Sequence, residues 1–276
     1  MTRGAAAIPA FLIVVWVAGP VFAQHTDDAE PLKLGRAAMA AHDPAEAIRQ
    51  FEQADTREAR EWLAVALMME SRSPSDQYVE RAFESAMRAR AEPTSPTPSR
   101  AELAAAMRPG EMVIAVLIGE TSAWAWAFDR DVLIGYPMPA PTDIATAAAR
   151  VRAYIDSGDR EGVERIAEDL MPALLGPALE RLPKLKRLIF MMDGPLRGLP
   201  IGAFPAGQGH SPLQQELTVS LAGHGELLNA IRAEPSPPTA RHWPWQSSPI
   251  VMAAIALAIL LLAGIAVFLR RRASVA

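Results

Sequence analysis

The stretch RLIFMMDGP at residues 187–195 decides the fold class. Its first part is almost entirely apolar, which is typical of a strand that is buried on both faces of a parallel sheet. The Asp, Gly and Pro that follow favour the backbone angles of a turn. The pattern therefore predicts a short strand in the interior of a sheet, ending at a turn.

Residues 111–138 predict a second group of strands upstream of that one. Residues 112–118 form a dense aliphatic run, residues 122–128 alternate large and small side chains, and residues 132–136 follow another turn. We interpret these three runs as a β-meander.

Helical patterns and one more strand complete this part of the chain. Helices are predicted at residues 142–155, at residues 161–182 with a bend or break at Gly176-Pro177, and at residues 226–232, and a strand at residues 216–222. Strands mixed with helices favour an α/β layer fold.

Residues 31–90 are predicted to be helical throughout, because they are rich in alanine and place apolar residues three or four positions apart. Pro44 sits where it can open the second helix. The pattern resembles a tetratricopeptide repeat, a helix pair in which small residues allow close approach; an ordinary helical hairpin is the alternative. A looser second helix pair is predicted from Arg57 to Ala91. Two such units are fewer than stability usually requires, so we expect them to pack on the next domain or on a partner. The packing positions are Leu34, Gly35, Ala38, Ala47, Phe51 and Ala54.

Two proline-rich segments, residues 93–100 and 234–248, divide the chain. Proline-rich stretches act as extended, semi-rigid spacers. They predict a helical region at residues 24–92 and an α/β domain at residues 101–233.

The first 23 residues have the parts of a secretory signal peptide. A basic start precedes an apolar run, and small residues end at Ala23, after which we place cleavage. The alternative is an uncleaved anchor helix.

Residues 249–269 are predicted to form a transmembrane helix, because they carry no charge and are long enough to span a bilayer. Trp243 and Trp245 would lie at the interface, and the arginines at 270, 271 and 272 would mark the cytoplasmic side. The prediction is a single-pass membrane protein with a periplasmic or cell-surface ectodomain and a cytoplasmic tail at residues 270–276. The alternatives are a buried core helix and a sorting signal that a transpeptidase removes.

Composition excludes several kinds of function. A net charge of −4 gives no basic footprint for nucleic acid. The sequence has no cysteine, so it offers no disulfide, thiolate metal ligand or thiol nucleophile. His25, Asp27 and Asp28 could hold a metal loosely, but such a chain end is more often simply solvated. We predict no metal and no cofactor.

Three motifs in order resemble the CHAT domain, a caspase-like protease domain that often follows tetratricopeptide repeats. They are RPGE at residues 108–111, LIFMMDGPLRGLPIGAF at residues 188–204 and PLQQELTVS at residues 212–220. The resemblance implies a three-layer caspase-like fold, of which this chain has the N-terminal half. In the family, a histidine and a cysteine lie on two later strands. We expect the spacer to begin before those strands, so the resemblance implies a scaffold without protease activity.

Three residues are candidates for a site. Asp193 lies at the carboxyl end of a strand, where ligands of α/β proteins tend to bind, and could form a small polar site with Arg197. The alternative is a structural turn in which Asp193 bonds backbone amides. His224 lies in LAGHG at residues 221–225, which resembles a caspase-type strand ending in His-Gly. The alternative is a turn histidine between glycines that allow positive φ.

The favoured function is a membrane-anchored, extracytoplasmic adaptor or scaffold, a pseudoenzyme whose helical hairpins bind a protein. The incomplete sheet would have an open edge, which native proteins cover or pair, so a partner chain or a second copy is expected there. The alternative is a peptidase-like hydrolase that uses His224, either with a non-cysteine nucleophile or completed by a partner chain.

Overall fold

A computed structural model describes residues 26–91, 96–206 and 211–234. The described chain is mixed α/β, with nine α-helices and one five-stranded sheet. The helices are α1 (Thr26–Ala40), α2 (Pro44–Phe51), α3 (Arg57–Glu70), α4 (Gln77–Arg90), α5 (Arg100–Ala106), α6 (Pro141–Ser157), α7 (Arg160–Leu175), α8 (Leu213–Glu216) and α9 (Leu227–Arg232). The strands are β1 (Glu111–Ile118), β2 (Ala123–Phe128), β3 (Leu133–Pro137), β4 (Arg187–Met191) and β5 (Thr218–Leu221).

The sheet has the strand order β3-β2-β1-β4-β5. β1, β2 and β3 form an antiparallel meander, while β4 is parallel to β1 and β5 is parallel to β4. All residues of β4 are buried, as the sequence RLIFM requires of an interior parallel strand. The predicted meander and the predicted strand at 187–192 are thus confirmed.

Helices cover both faces of the sheet. Successive side chains of a strand point to opposite faces, so the dense aliphatic run of β1 supplies two cores at once. Met112, Ile114 and Val116 belong to the core under α6 and α7. Their neighbours Val113 and Leu117 belong to the core under α1–α5 and α9. The result is three layers with β1 and β4 at the centre.

The N-terminal helices form one of these layers. The ring of Phe83 on α4 lies edge-on to Trp126 and Phe128, with centroids 6.1 and 5.1 Å apart. Val79 and Met87, on the same face of α4, are also fully buried. The expectation that this region packs on the domain after it is confirmed.

Most of the repeat-like positions pack as the pattern predicts. The ring of Phe51 lies directly against Gly35, where a Cβ atom would overlap it. Ala38, Ala47 and Ala54 are buried, and α2 begins at Pro44. Leu34 does not belong to this packing, because its side chain is 44% exposed. Adjacent helical residues point about 100° apart, and here Gly35 faces α2 while Leu34 faces solvent.

Two elements differ from the sequence prediction. Helix α5 begins at Arg100, within the segment interpreted as a linker, and it is held by a capping box between Ser99 and Glu102. The strand predicted at 216–222 is shorter and spans Thr218–Leu221, because Glu216 is the last residue of α8.

The predicted signal peptide (1–23), transmembrane helix (249–269) and cytoplasmic tail lie outside the described residues, as do Trp243, Trp245, Arg270, Arg271 and Arg272. Among residues 26–91, 96–206 and 211–234, no helix combines the length and the apolar character needed to cross a bilayer.

Candidate functional site

A cleft of about 630 Å³ opens at the carboxyl ends of β4 and β5. Its lining includes Arg90, Arg197, Leu221, His224 and Glu226. Ligands of parallel α/β proteins bind at this edge of the sheet. Two of the three candidate residues from the sequence, Arg197 and His224, therefore meet in one cleft, whereas Asp193 lies beneath it.

Asp193 is part of a buried ion pair. Its Oδ2 accepts hydrogen bonds from Arg90 Nε at 2.9 Å, from Arg90 Nη2 at 2.7 Å and from the backbone N–H of Ile118 at 3.1 Å. Burial raises the pKa of Asp193, but the bonds and charge of Arg90 and the amides of Ile118 and Gly194 outweigh it, so the pKa is lowered from its ordinary value. The carboxylate of Asp193 is bonded inside the fold and forms no hydrogen bond or ion pair with Arg197, which fits the interpretation as a structural turn.

Arg90 links four elements through one guanidinium group. Besides Asp193, it donates to the carbonyl oxygen of Ile118 at 3.2 Å and pairs with Glu61. The contacts join α3, α4, the end of β1 and the end of β4. Sequence reasoning missed Arg90 and Glu61, because they lie in no recognisable motif and Arg90 is 103 positions away from Asp193.

Arg197 is the accessible cation of the cleft. It is exposed on the turn after β4, where its carbonyl oxygen accepts a hydrogen bond from Arg152 at 3.2 Å. Within the described residues, its guanidinium group has no hydrogen bond or ion pair. It can therefore receive a carboxylate from a ligand.

His224 is almost enclosed, with 9% of its surface exposed. It begins a short 3₁₀ turn that leads into α9. Neither Gly223 nor Gly225 has a positive φ, so the prediction that these glycines serve to allow positive φ is wrong. Burial, the main cause, lowers the pKa of His224 to about 4; the charge of Asp193 opposes the shift, and Arg90 and Arg197 add to it. The imidazole is therefore neutral at pH 7.

Apart from His224 itself, the cleft offers a single kind of potential nucleophile in its described lining, the carboxylate of Glu226. Its described lining contains no serine, threonine, lysine or tyrosine beside His224, and the sequence has no cysteine. A general base works best when its pKa is near the working pH, and that of His224 is far below 7. No cluster of three or more potential metal ligands occurs in the part of the chain that the structure describes.

His224 makes stability depend on pH. The unfolded state binds a proton near pH 6.5 and the folded state only near pH 4, so its contribution is complete above pH 6.5 and is lost as the pH falls toward 4. We expect a loss of up to about 3 kcal/mol in the free energy of unfolding between pH 7 and pH 4. Urea unfolding of the full-length protein in detergent measures this loss. His224→Gln should flatten the dependence in this range; an unchanged slope would contradict the assignment.

One edge of the sheet is covered, and at the other edge the described residues add no strand beyond β5. At β3, the backbone N–H of Gly135 donates to the carbonyl oxygen of Pro74 in the α3–α4 loop at 2.8 Å. At the opposite edge, β5 pairs with β4 alone within the described sheet. Since parallel pairing uses alternate residues, the backbone groups of Val219 and Leu221 point away from β4. The side chain of Leu221 is also 54% exposed, next to the cleft.

Comparison with known proteins does not assign the chain to a family. No family model matches the chain, and a search of curated proteins finds no significant match.

Proposed function

We propose that this chain is a membrane-anchored, extracytoplasmic interaction protein with a CHAT-like, caspase-like domain that lacks protease activity. The observation that carries the proposal is the open edge of β5 beside the cleft that holds Arg197. An exposed strand edge pairs readily with an extended segment of another chain.

Because the helical layer packs on the sheet, we expect a partner to bind at the edge of β5 rather than on the helices. The face of α4 that carries Val79, Phe83 and Met87 is already covered by the sheet. The repeat-like helices therefore do not present that face to a partner. Among the described strands, β5 remains the one whose outer backbone groups have no strand partner.

The partner that fits this edge is a protein with an extended segment that carries an acidic residue. Its backbone would pair with Val219 and Leu221, which supplies affinity without regard to side chains. Its carboxylate would pair with Arg197, which supplies selectivity. Leu221 would be covered by an apolar side chain of the added strand.

The absence of protease activity is proposed on chemical grounds. A cysteine protease needs a thiolate and an imidazole that activates it, and the sequence has no cysteine. The imidazole of His224 is nearly enclosed and has a pKa of about 4. Both observations favour a binding role for the cleft.

Membrane anchoring is proposed from the sequence of residues 235–276. The charge-free run 249–269 has the length of a bilayer span, with tryptophans before it and three arginines after it. A signal peptide at residues 1–23 would place the α/β domain outside the cytoplasm.

Leu221→Lys is expected to reduce recovery of the partner roughly tenfold or more, as loss of a central apolar contact does. The measurement is affinity purification of the tagged full-length protein from detergent-solubilised membranes. Met69→Lys is the matched control, because Met69 is 44% exposed on the helical layer, and it should leave recovery unchanged.

Three outcomes would oppose this proposal. Loss of the partner with Met69→Lys alone would place binding on the helices. Recovery only of a second copy of the chain would replace the partner with self-association. Peptide cleavage that disappears in His224→Gln would favour a hydrolase.

A further inference from the structure

The described part of the α/β domain ends on the side opposite the cleft, at the end of the sheet where the parallel strands begin. Arg187, at the amino end of β4, pairs with Glu111 at 3.2 Å in the interior of the fold. It also donates to the carbonyl oxygens of Ala230 at 2.7 Å and Ala233 at 3.0 Å, so it holds the end of α9. Arg108 donates to Ala233 as well, at 3.3 Å. The last described residues are thereby fixed at the amino ends of the parallel strands.

This end of the sheet carries a group of basic side chains, and we call the surface that they form the basic edge. They come from the loop before β1, the β2–β3 turn, the segment before β4 and the end of α9, and four of them line a shallow pocket of about 460 Å³. The basic edge consists of Arg108, Arg130, Arg181, Lys184, Lys186 and Arg232.

Of the three acidic side chains that line this pocket, two are engaged. Glu111 is buried with Arg187, and Asp129 pairs with Arg181 at 2.8 Å. Asp131 is the exposed carboxylate of the pocket. Among the residues that the structure describes, Arg130, Lys184 and Lys186 form no ion pair.

We infer that the basic edge rests on the anionic phospholipid headgroups of the membrane that anchors the chain; this inference rests on the proposed anchor. Only 14 residues (235–248) separate the last described residue from the charge-free run, and even fully extended they span at most about 50 Å. Such a short tether holds the edge at high effective concentration near the surface. Lysine and arginine are attracted to anionic headgroups. The cleft, at the carboxyl ends of the strands, then faces away from the bilayer, toward partners.

The experiment uses the full-length chain, whose lack of cysteine allows one fluorophore to be placed at will. Pro109→Cys labels the basic edge, and Gly225→Cys labels the cleft, where an added Cβ meets no atom within 4 Å. Each protein is reconstituted into phosphatidylcholine vesicles with or without phosphatidylglycerol. A lipid with a nitroxide on its headgroup serves as the quencher.

The expected result is several-fold stronger quenching of the label at 109 than of the label at 225, but only with phosphatidylglycerol. Adding Lys184→Glu and Lys186→Glu to Pro109→Cys should remove most of that difference, as should high salt. If the protein is inserted but its two labels are quenched equally, or if the quenching is the same with and without phosphatidylglycerol, the docking of the basic edge is overturned while the anchor stands. A protein that alkaline carbonate strips from the vesicles would overturn the anchor itself. Circular dichroism of each variant shows whether the fold is intact.

Discussion

Replacing Arg90 with methionine is expected to lower the free energy of unfolding by about 3–5 kcal/mol, because it leaves a buried carboxylate without its cation. Asp193 would keep only backbone amides as partners, while the more exposed Glu61 could turn to water. Urea unfolding of the full-length protein at pH 7 measures the loss. Arg88→Met, on the exposed face of the same helix, removes an ion pair with Glu84 and should cost less than about 0.5 kcal/mol.

The pH dependence separates lost charge pairing from lost packing. In the wild type, the lowered pKa of Asp193 contributes stability that is present at neutral pH and is lost as the pH falls below about 4. The wild type and Arg90→Met should therefore converge in acid. Adding Asp193→Asn should restore part of the stability at pH 7. A deficit that stays constant with pH, and that Asp193→Asn does not relieve, would contradict this account.

Phe83→Ala is expected to cost about 3–5 kcal/mol, because it empties a fully buried site between the helical layer and the sheet. The variant also loses the edge-on contacts with Trp126 and Phe128. Thermal unfolding followed by far-UV circular dichroism and by tryptophan fluorescence measures the change. The two probes should report one transition, since Trp62 lies in the helices and Trp126 in the sheet.

Leu34→Ala is the control for that experiment. It also truncates an apolar side chain of the helical layer, but at an exposed position, so its effect should stay within about 0.5 kcal/mol. Loss of helical signal well before the change in tryptophan fluorescence would mean that the two layers unfold separately, contrary to the packing of Phe83.

Local signals in the sequence account for most of the elements. The run at 187–191 and the alternation at 123–128 predict strands because side-chain period and burial are set within a few residues. Helix α5 was missed because seven residues are too few for a periodic pattern to stand out. Its signal was nevertheless present, as Ser99 and Glu102 are spaced as a capping box.

The candidate site was only partly predictable. Arg197 and His224 were found because each lies in a turn after a predicted strand. The partners of Asp193 were not, because Arg90 reaches it from another layer and no local pattern encodes that approach. The same holds for the sheet edges: the Gly135–Pro74 hydrogen bond that covers β3 joins two segments that the sequence does not connect.

The contact of Phe83 with Trp126 and Phe128 also limits how such a chain can arise by recombination. Repeat arrays are often exchanged between genes, because each unit buries its own apolar face against the next. Here the inner face of α4 completes the core of the sheet, and Arg90 neutralises a carboxylate of the neighbouring layer. A foreign repeat would expose two aromatic rings and leave Asp193 unpaired. Helices and sheet are therefore expected to be inherited together, with substitutions at Phe83 and Arg90 matched by changes across the layer boundary.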